Sequence, residues 1–287
     1  MSSPDVFPLS KPGVGRPCPL CEAEVVRIWL TKGELRYLIC DCGFVLADVE
    51  PALFEAWNDE DFVGDLERFA ARSFEPRRQR RYTRRLQVLE GGRGAGRLLE
   101  IGCNVGGFLY AAREAGWQAV GVEPVDACAA YARDKHGLDA RSATLEAAGL
   151  ADASFDAVYA HAVLEHLVDP VAVLREAARV LAPGGLFFGD TVNALAYSAE
   201  RLGTGWRLVD PRVHFCLWTP ETLGRLMESA GLEVLRVRSH GVRLRPNASE
   251  RLRGGARWLE ELRKLPLSIA ARLRLRGESV SILARKK

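Results

Sequence analysis

The chain has 287 residues, which at ~150 residues per domain gives room for about two domains. Hydrophobic residues make up 48% and charged residues 27%, and Lys+Arg at 40 against Asp+Glu at 37 leave a net charge of only +3, too little for a protein built to coat nucleic acid. No apolar run approaches the ~20 residues of a membrane span, and Met1-Ser-Ser-Pro-Asp is not a basic segment followed by an apolar one. Membrane spanning, secretion and wholesale disorder are disfavoured. Seven cysteines, an odd number, with no visible signal peptide point to a reducing cytoplasm.

Four cysteines lie in the first 42 residues: Cys18-Pro-Leu-Cys21, eighteen residues, then Cys40-Asp-Cys42-Gly43. Val25 to Leu30 and Glu34 to Ile39 read as two strands with Lys32-Gly33 as their turn. Two close pairs of thiolates at the ends of such a hairpin can close a tetrahedral zinc site, although the second pair has one intervening residue where two are usual. A zinc here is structural, because four cysteines leave no open position for water. Residues 1–50 are therefore predicted to be a small zinc ribbon. The alternative is free, buried thiols on a small hairpin.

Residues 51–96 read as a helical connector. Phe54, Trp57, Asp59, Glu60, Asp61 and Phe62 make its first part acidic and aromatic. Arg72, Arg77, Arg78, Arg80, Arg81, Arg84 and Arg85 follow, with Tyr82, Leu86 and Leu89 at helical spacing. The arginine face reads as a solvated surface in preference to a clamp for phosphate or RNA. Gly91 to Gly96 is a flexible break.

Leu98 to Ile101 is a short apolar strand, and Gly102-Cys-Asn-Val-Gly-Gly107 is a glycine-rich turn leading into a helix from Phe108 to Ala115. Strand, glycine turn and helix are the first half of a Rossmann-type unit, whose helix start offers free N–H groups to a ligand. Trp117 to Val122 is the next strand, and Glu123 at its end can accept hydrogen bonds from both hydroxyls of a ribose. Further on, Ser154 to Ala160 reads as a strand opened by Phe155-Asp156. Glu165-His166, a helix from Val171 to Leu181 and the turn Ala182-Pro-Gly-Gly185 follow, with a strand from Leu186 to Gly189 after them.

In this order the motifs resemble those of the class I S-adenosylmethionine-dependent methyltransferases, from about Leu98 to the C-terminus. The resemblance implies an α/β, Rossmann-like, seven-stranded sheet with the last strand antiparallel, filling residues 97–287. It implies an enzyme that transfers a methyl group from S-adenosylmethionine. It places cofactor contacts at Glu100, Gly102, Cys103, Asn104, Gly106 and Glu123, and at Thr144, Leu145, Ala160 and His161. Asn104 replaces the family's second glycine, and asparagine tolerates left-handed backbone better than most residues.

A sulfonium methyl needs a nucleophile placed in line and, for a hydroxyl or carbon acid, a base. Of His136, His161, His166, His214 and His240, His214 is the expected base. Its segment resembles one in methyltransferases that modify sugars or quinone-like molecules, and sugar C-methyltransferases also carry a zinc-binding N-terminal domain. Pro211 stands where those enzymes often have tyrosine. In some quinone O-methyltransferases acids beside the Glu-His pair hold a divalent cation, but Ala162 takes the place of one of them, so no metal is expected at Glu165 and His166. Neither an Asp/Asn-Pro-Pro-aromatic motif nor a Pro-Cys nucleophile follows the fourth strand, which disfavours nucleobase methylation by those routes. The acceptor is expected to be a small molecule, methylated on oxygen or carbon. The alternatives are an rRNA-type methyltransferase that presents RNA on its ribbon and arginines, and a non-catalytic binding module.

Residues 243–277 form a long, basic insertion before the last strand, with Trp258, Leu259, Leu262 and Leu265 at helical spacing and Pro266 suggesting two short helices. The plain reading is packing on the catalytic domain. The alternative is peripheral contact with an anionic membrane.

Overall fold

The computed structural model describes residues 16–25, 27–64, 66–245 and 255–287. At the N-terminus β1 (Arg16–Pro17) pairs antiparallel with β2 (Glu24–Val25). Strands β3 (Arg27–Lys32) and β4 (Leu35–Ile39) form a hairpin whose turn places Gly33 at φ +63°, a conformation glycine adopts without cost. Strand β5 (Val45–Ala47) adds antiparallel to β4.

Three helices follow: α1 (Pro51–Gly64), α2 (Leu66–Ser73) and α3 (Pro76–Glu90). Pro76 suits the first turn of α3, and Gly91 stops the helix in a left-handed conformation. The apolar spacing read from the sequence is realised: Tyr82, Leu86 and Leu89 are the buried residues of α3 and pack on Phe108 and Tyr159.

The alternation of short apolar runs with helical segments gives β6 (Arg97–Ile101), α4 (Gly107–Glu114), β7 (Gln118–Glu123), α5 (Asp126–His136) and β8 (Asp139–Ser142). Next come β9 (Phe155–His161), α6 (Pro170–Val180), β10 (Leu181–Val192) and α7 (Tyr197–Leu202). The chain ends with β11 (Cys216–Leu217), α8 (Pro220–Ser229), β12 (Leu232–His240), α9 (Gly255–Leu273) and β13 (Ser279–Lys286). Asp169 caps α6 by accepting from the Ala172 amide at 2.9 Å, and Thr219 and Thr222 form a reciprocal cap on α8.

Seven strands form one sheet in the order β12-β13-β10-β9-β6-β7-β8. Strand β13 runs antiparallel to both its neighbours and the other pairings are parallel, as the resemblance implies. Leu98, Leu99, Val158, Phe187 and Ile282 are fully buried in its core. Strand order reverses around β6 and β9, so their C-terminal ends flank the crevice where such sheets bind ligands.

Three features differ from the sequence reading. The Ala182–Gly185 turn is an irregularity inside β10, with the register shifting between Leu181 and Leu186 and Gly184 at φ +74°. Helix α9 runs unbroken through Pro266 in place of two short helices: a proline forfeits one hydrogen bond, which the rest of a long helix can outweigh. Residues 246–254 of that insertion lie outside the described residues. Third, β11 pairs antiparallel with β5, giving a four-stranded sheet in the order β11-β5-β4-β3. The ribbon sheet is thus completed by a strand some 170 residues further along, from within the 97–287 segment.

Candidate active site

A cavity of about 800 Å³ opens at the C-terminal ends of β6, β7 and β9, a size that suits a small-molecule site. Of the residues expected to touch a cofactor, Glu100, Gly102, Cys103, Asn104, Glu123 and Thr144 line it, as do Leu145 and His161. Gly106 and Ala160 stand behind the wall. Gly106 has φ +81°, and a Cβ there would meet Leu138 at 2.5 Å; Ala160 is fully buried in β9.

The glycine turn is built around Glu123. Its Oε2 accepts from the Asn104 amide at 2.9 Å and its Oε1 from the Val125 amide at 3.0 Å. A carboxylate accepts through both oxygens, so the two amides fix its plane while the group lines the cavity. Asn104 takes φ +48° and its own Oδ1 accepts from the Val105 amide at 2.8 Å, which is how the turn survives without a second glycine. At Gly102, with φ +68°, a Cβ would come 2.6 Å from Val163. Glu100 lines the cavity from β6, and its buried Oε2 has no hydrogen-bond partner. Burial pushes its carboxyl well above the usual carboxylate range. An orphaned carboxyl oxygen, a fixed carboxylate and a close glycine suit a ribose-bearing, amine-bearing cofactor such as S-adenosylmethionine.

The roof comes from the connector helices. Phe54, Phe69, Arg72, Ser73, Arg78 and Tyr82 face the same cavity. Sequence reading treated this stretch as a linker and missed them; the spacing of Arg78 and Tyr82, one turn apart on α3, is the signal that placed them on one face.

The histidines separate by position. His161, at the end of β9, lines the cavity, and its Nδ1 stands 3.2 Å from Oδ1 of the buried Asp190, an ion-pair approach that falls short of hydrogen-bond geometry. Burial and the Arg85 charge lower the His161 pKa more than Asp190 raises it. Asp190 is held low although burial opposes it, because His161, His240 and Arg85 all face it. His166 also lines the cavity. His214 is buried behind it, with ring centroids 5.1 Å apart, and does not line the cavity. Its Nδ1 lies 2.8 Å from the Leu208 carbonyl, so Nδ1 carries the proton. Burial holds His166 down to about 3 and His214 down to about 4. Glu165 lies inside, accepting from the Thr191 hydroxyl at 2.7 Å, and burial raises it to about 7. One donor atom each from Glu165, His166 and His214 falls within a 4.8 Å cluster, and Thr191, the Val213 backbone and the Leu208 carbonyl engage the three in turn. Of the rest, His136 stacks on Phe74 at 4.1 Å, and the Nε2 of His240 lies 3.5 Å from Oδ2 of Asp190.

The four ribbon cysteines converge, with all four Sγ atoms within 4.8 Å of one another. Cys18 and Cys42 are 3.5 Å apart and Cys21 and Cys40 are 3.4 Å apart, near the ~3.8 Å edge of a tetrahedron with ~2.3 Å metal–sulfur bonds. The short Cys40-Asp-Cys42 spacing is accommodated by a turn in which the Gly43 amide donates to the Cys40 carbonyl at 2.9 Å, with Gly43 at φ +87°.

This ribbon is tied to the His214 loop. The Tyr37 hydroxyl donates to the His214 carbonyl at 2.7 Å, and Lys32 Nζ donates to the Val209 carbonyl at 2.7 Å. On its other side β11 grips the segment after β9: the Cys216 amide donates to the Glu165 carbonyl at 2.9 Å and the Trp218 indole to the Leu164 carbonyl at 3.0 Å.

Comparison with known proteins follows the same lines. The family model for a methyltransferase domain matches residues 74–237. A ubiquinone biosynthesis O-methyltransferase of Methylobacterium sp. (strain 4-46) is 32% identical over 148 residues, 48% of this chain and 59% of that protein. A probable S-adenosylmethionine-dependent methyltransferase of Mycolicibacterium smegmatis is 33% identical over 144 residues, 50% of this chain and 54% of that protein. The chain thus spans less than two thirds of the length of either. Among solved structures, an S-adenosylmethionine-dependent methyltransferase of Thermotoga maritima, described as a possible histamine N-methyltransferase, matches with TM-score 0.55 and 25% identity, covering 80% of this chain and 99% of that one. The 1,6-didemethyltoxoflavin-N1-methyltransferase of Burkholderia thailandensis, solved with S-adenosylhomocysteine, shares the fold at TM-score 0.53 and 14% identity, covering 91% of this chain and 99% of that one.

Proposed function

The chain belongs to the S-adenosylmethionine-dependent methyltransferases, and from that premise we propose that it methylates a hydroxyl of a small-molecule acceptor, of the phenolic or quinone-precursor type in preference to a sugar. The observation that carries the reading is one cavity lined both by the fixed carboxylate of Glu123 and by the His161 imidazole backed by Asp190. The relatives named for ubiquinone O-methylation support the acceptor class.

When bound, the cofactor supplies a methyl group already activated by its sulfonium. Glu123 holds the ribose hydroxyls, Gly102 lets the backbone approach, and Glu100 accepts from an amine. Asp190 fixes the His161 ring with Nδ1–H toward the carboxylate, which leaves Nε2 as the base that takes the acceptor's hydroxyl proton. The imidazolium that forms is offset by Asp190. The expected base from sequence, His214, takes a supporting part here: it sets the orientation of His166, which borders the acceptor space. The roof residues Phe54, Phe69 and Tyr82 exclude water.

In the same proposal Cys18, Cys21, Cys40 and Cys42 hold one structural zinc that keeps the ribbon, and through Tyr37 the His214 loop, in place. The RNA reading is weakened because Arg78 and Arg85 turn toward the interior.

The test is calorimetry with S-adenosylhomocysteine, followed by transfer of labelled methyl groups to a panel of catechols, hydroxybenzoates and sugar nucleotides. Methylation confined to phenolic hydroxyls is the expected result. Failure to bind S-adenosylhomocysteine, or transfer to sugar carbon alone, would overturn the reading.

A further inference from the structure

A second cavity, about 550 Å³, lies beneath α3 and α9 against β10, β12 and β13. Its wall carries Arg81, Arg84, Arg85, Arg236, Arg238 and Arg272. Against six guanidinium groups the lining offers one acid, Asp190, whose buried Oδ2 has no hydrogen bond of its own. The charges facing Asp190 are those of Arg85, at 3.9 Å, and of His161 and His240 when protonated. Arg85 is further engaged by the Tyr159 hydroxyl. The other five arginines make no side-chain hydrogen bond or ion pair with a described residue. Burial and the adjacent Arg238 charge depress the Arg236 guanidinium. Cations crowded together this way raise the free energy of the empty cavity, and an anion of two or more charges relieves it.

The cavity's mouth is apolar on one side. Helix α9 exposes Leu262, Leu265, Ile269 and Leu273 at 46%, 59%, 53% and 80%, at spacings of three, four and four residues that place them on one face. Leu273, the last of that stripe, also lines the cavity. An apolar track therefore leads to a cationic hole, the complement of a chain with an anionic head.

We propose that the arginine cavity is a binding site for the phosphate or diphosphate head of an isoprenoid-type or acyl amphipath whose chain lies along the exposed leucines of α9. Guanidinium forks pair with phosphate oxygens bidentately and with charge assistance. Asp190 forms the partition between this site and the cofactor cavity, with one oxygen toward His161 and the other toward His240. The site does not depend on methyl transfer.

Farnesyl diphosphate and inorganic pyrophosphate are the probes, titrated calorimetrically into the full chain at low salt, with sulfate at matched ionic strength as the control anion. The expected result is binding of both probes, with farnesyl diphosphate tighter by about tenfold or more, the effect of burying even two methylene groups. Arg84→Gln with Arg238→Gln weakens both probes by about tenfold or more. Leu265→Gln with Leu273→Gln weakens only farnesyl diphosphate. All these residues are exposed or line the cavity rim, and unchanged S-adenosylhomocysteine affinity certifies folding. A shift of the His240 imidazole resonance on titration locates the head. Glu123→Ala keeps pyrophosphate binding, which separates this site from the cofactor site. Equal affinity for the two probes would overturn the amphipath. No binding of either probe, or binding no tighter than sulfate, would overturn the site.

Discussion

His161 and Asp190 are register partners on the parallel strands β9 and β10, and the pairing sets Nδ1 of the one 3.2 Å from Oδ1 of the other at the tips of the sheet. The contact is made by backbone geometry, so it is in place before any ligand arrives. In the proposed mechanism this approach turns the ring's second nitrogen to the acceptor.

Replacing His161 by Gln should lower turnover by roughly 10²–10⁴, the usual contribution of a positioned base, with S-adenosylhomocysteine affinity changed far less than turnover. Asp190→Asn has a second readout. The carboxylate raises the His161 pKa, so its removal should move the imidazole titration, followed by NMR, to lower pH. A His161 titration that does not move in Asp190→Asn would break the link between the pair.

Glu123→Ala should weaken S-adenosylhomocysteine by about tenfold or more, since a hydrogen bond to a charged group is worth ~1.5–3 kcal/mol. Glu123→Gln should lose less, because the amide oxygen can still accept from one backbone N–H. Equal affinities for the wild type and both variants, measured by calorimetry, would remove Glu123 from the cofactor site.

Metal analysis of freshly purified protein should give about one zinc per chain. Removing it with a strong chelator should loosen β11 as well as the ribbon. The Ala47 amide, which donates to the Phe215 carbonyl at 2.8 Å, should then exchange its hydrogen faster, while amides of β6 keep their protection. Exchange confined to residues before 40 would contradict the coupling.

Stability should fall as pH drops from about 6.5 toward 4. His214 and His166 are buried with pKa values held down to about 4 and about 3, so the unfolded chain binds more protons across that window. The loss for His214 alone is on the order of 3 kcal/mol at ~1.36 kcal/mol per pKa unit. Glu165 works in the opposite sense: raised to about 7, it stabilises below about 4.5, and that contribution is lost as pH rises through 7. Denaturant melts should show a maximum between these limits. In His214→Gln the acid-side slope should flatten, and a slope equal to wild type would refute the assignment.

Much of the sheet was legible because parallel strands buried on both faces read as short apolar runs punctuated by glycine turns, as at Leu98–Ile101 and Gly102–Gly107. That the glycine turn and Glu123 share one cavity wall also followed from the strand ends. The roof did not, because Phe54, Phe69 and Tyr82 reach the cavity only after three helices fold back over it, a tertiary event with no local signature. His214 was singled out by its position in the chain, yet a loop's direction is set by what holds it. Tyr37 and Leu208 hold this one so that His166 stands in front. The β5–β11 pairing was equally invisible, since two residues, Cys216 and Leu217, carry no strand pattern of their own.

That pairing also fixes an order of events on the ribosome. Strand β5 leaves the exit tunnel long before β11, and at ~5–20 residues per second the interval is roughly ten to thirty seconds. Throughout it the nascent ribbon presents the unpaired edge of β5, a template for any extended segment that passes. The four cysteines, by contrast, all lie within the first 42 residues and leave the tunnel with β5, so the knuckles can close around a metal while that edge is still bare. Capturing the ion early would hold the edge in shape until its own distant strand arrives to cover it.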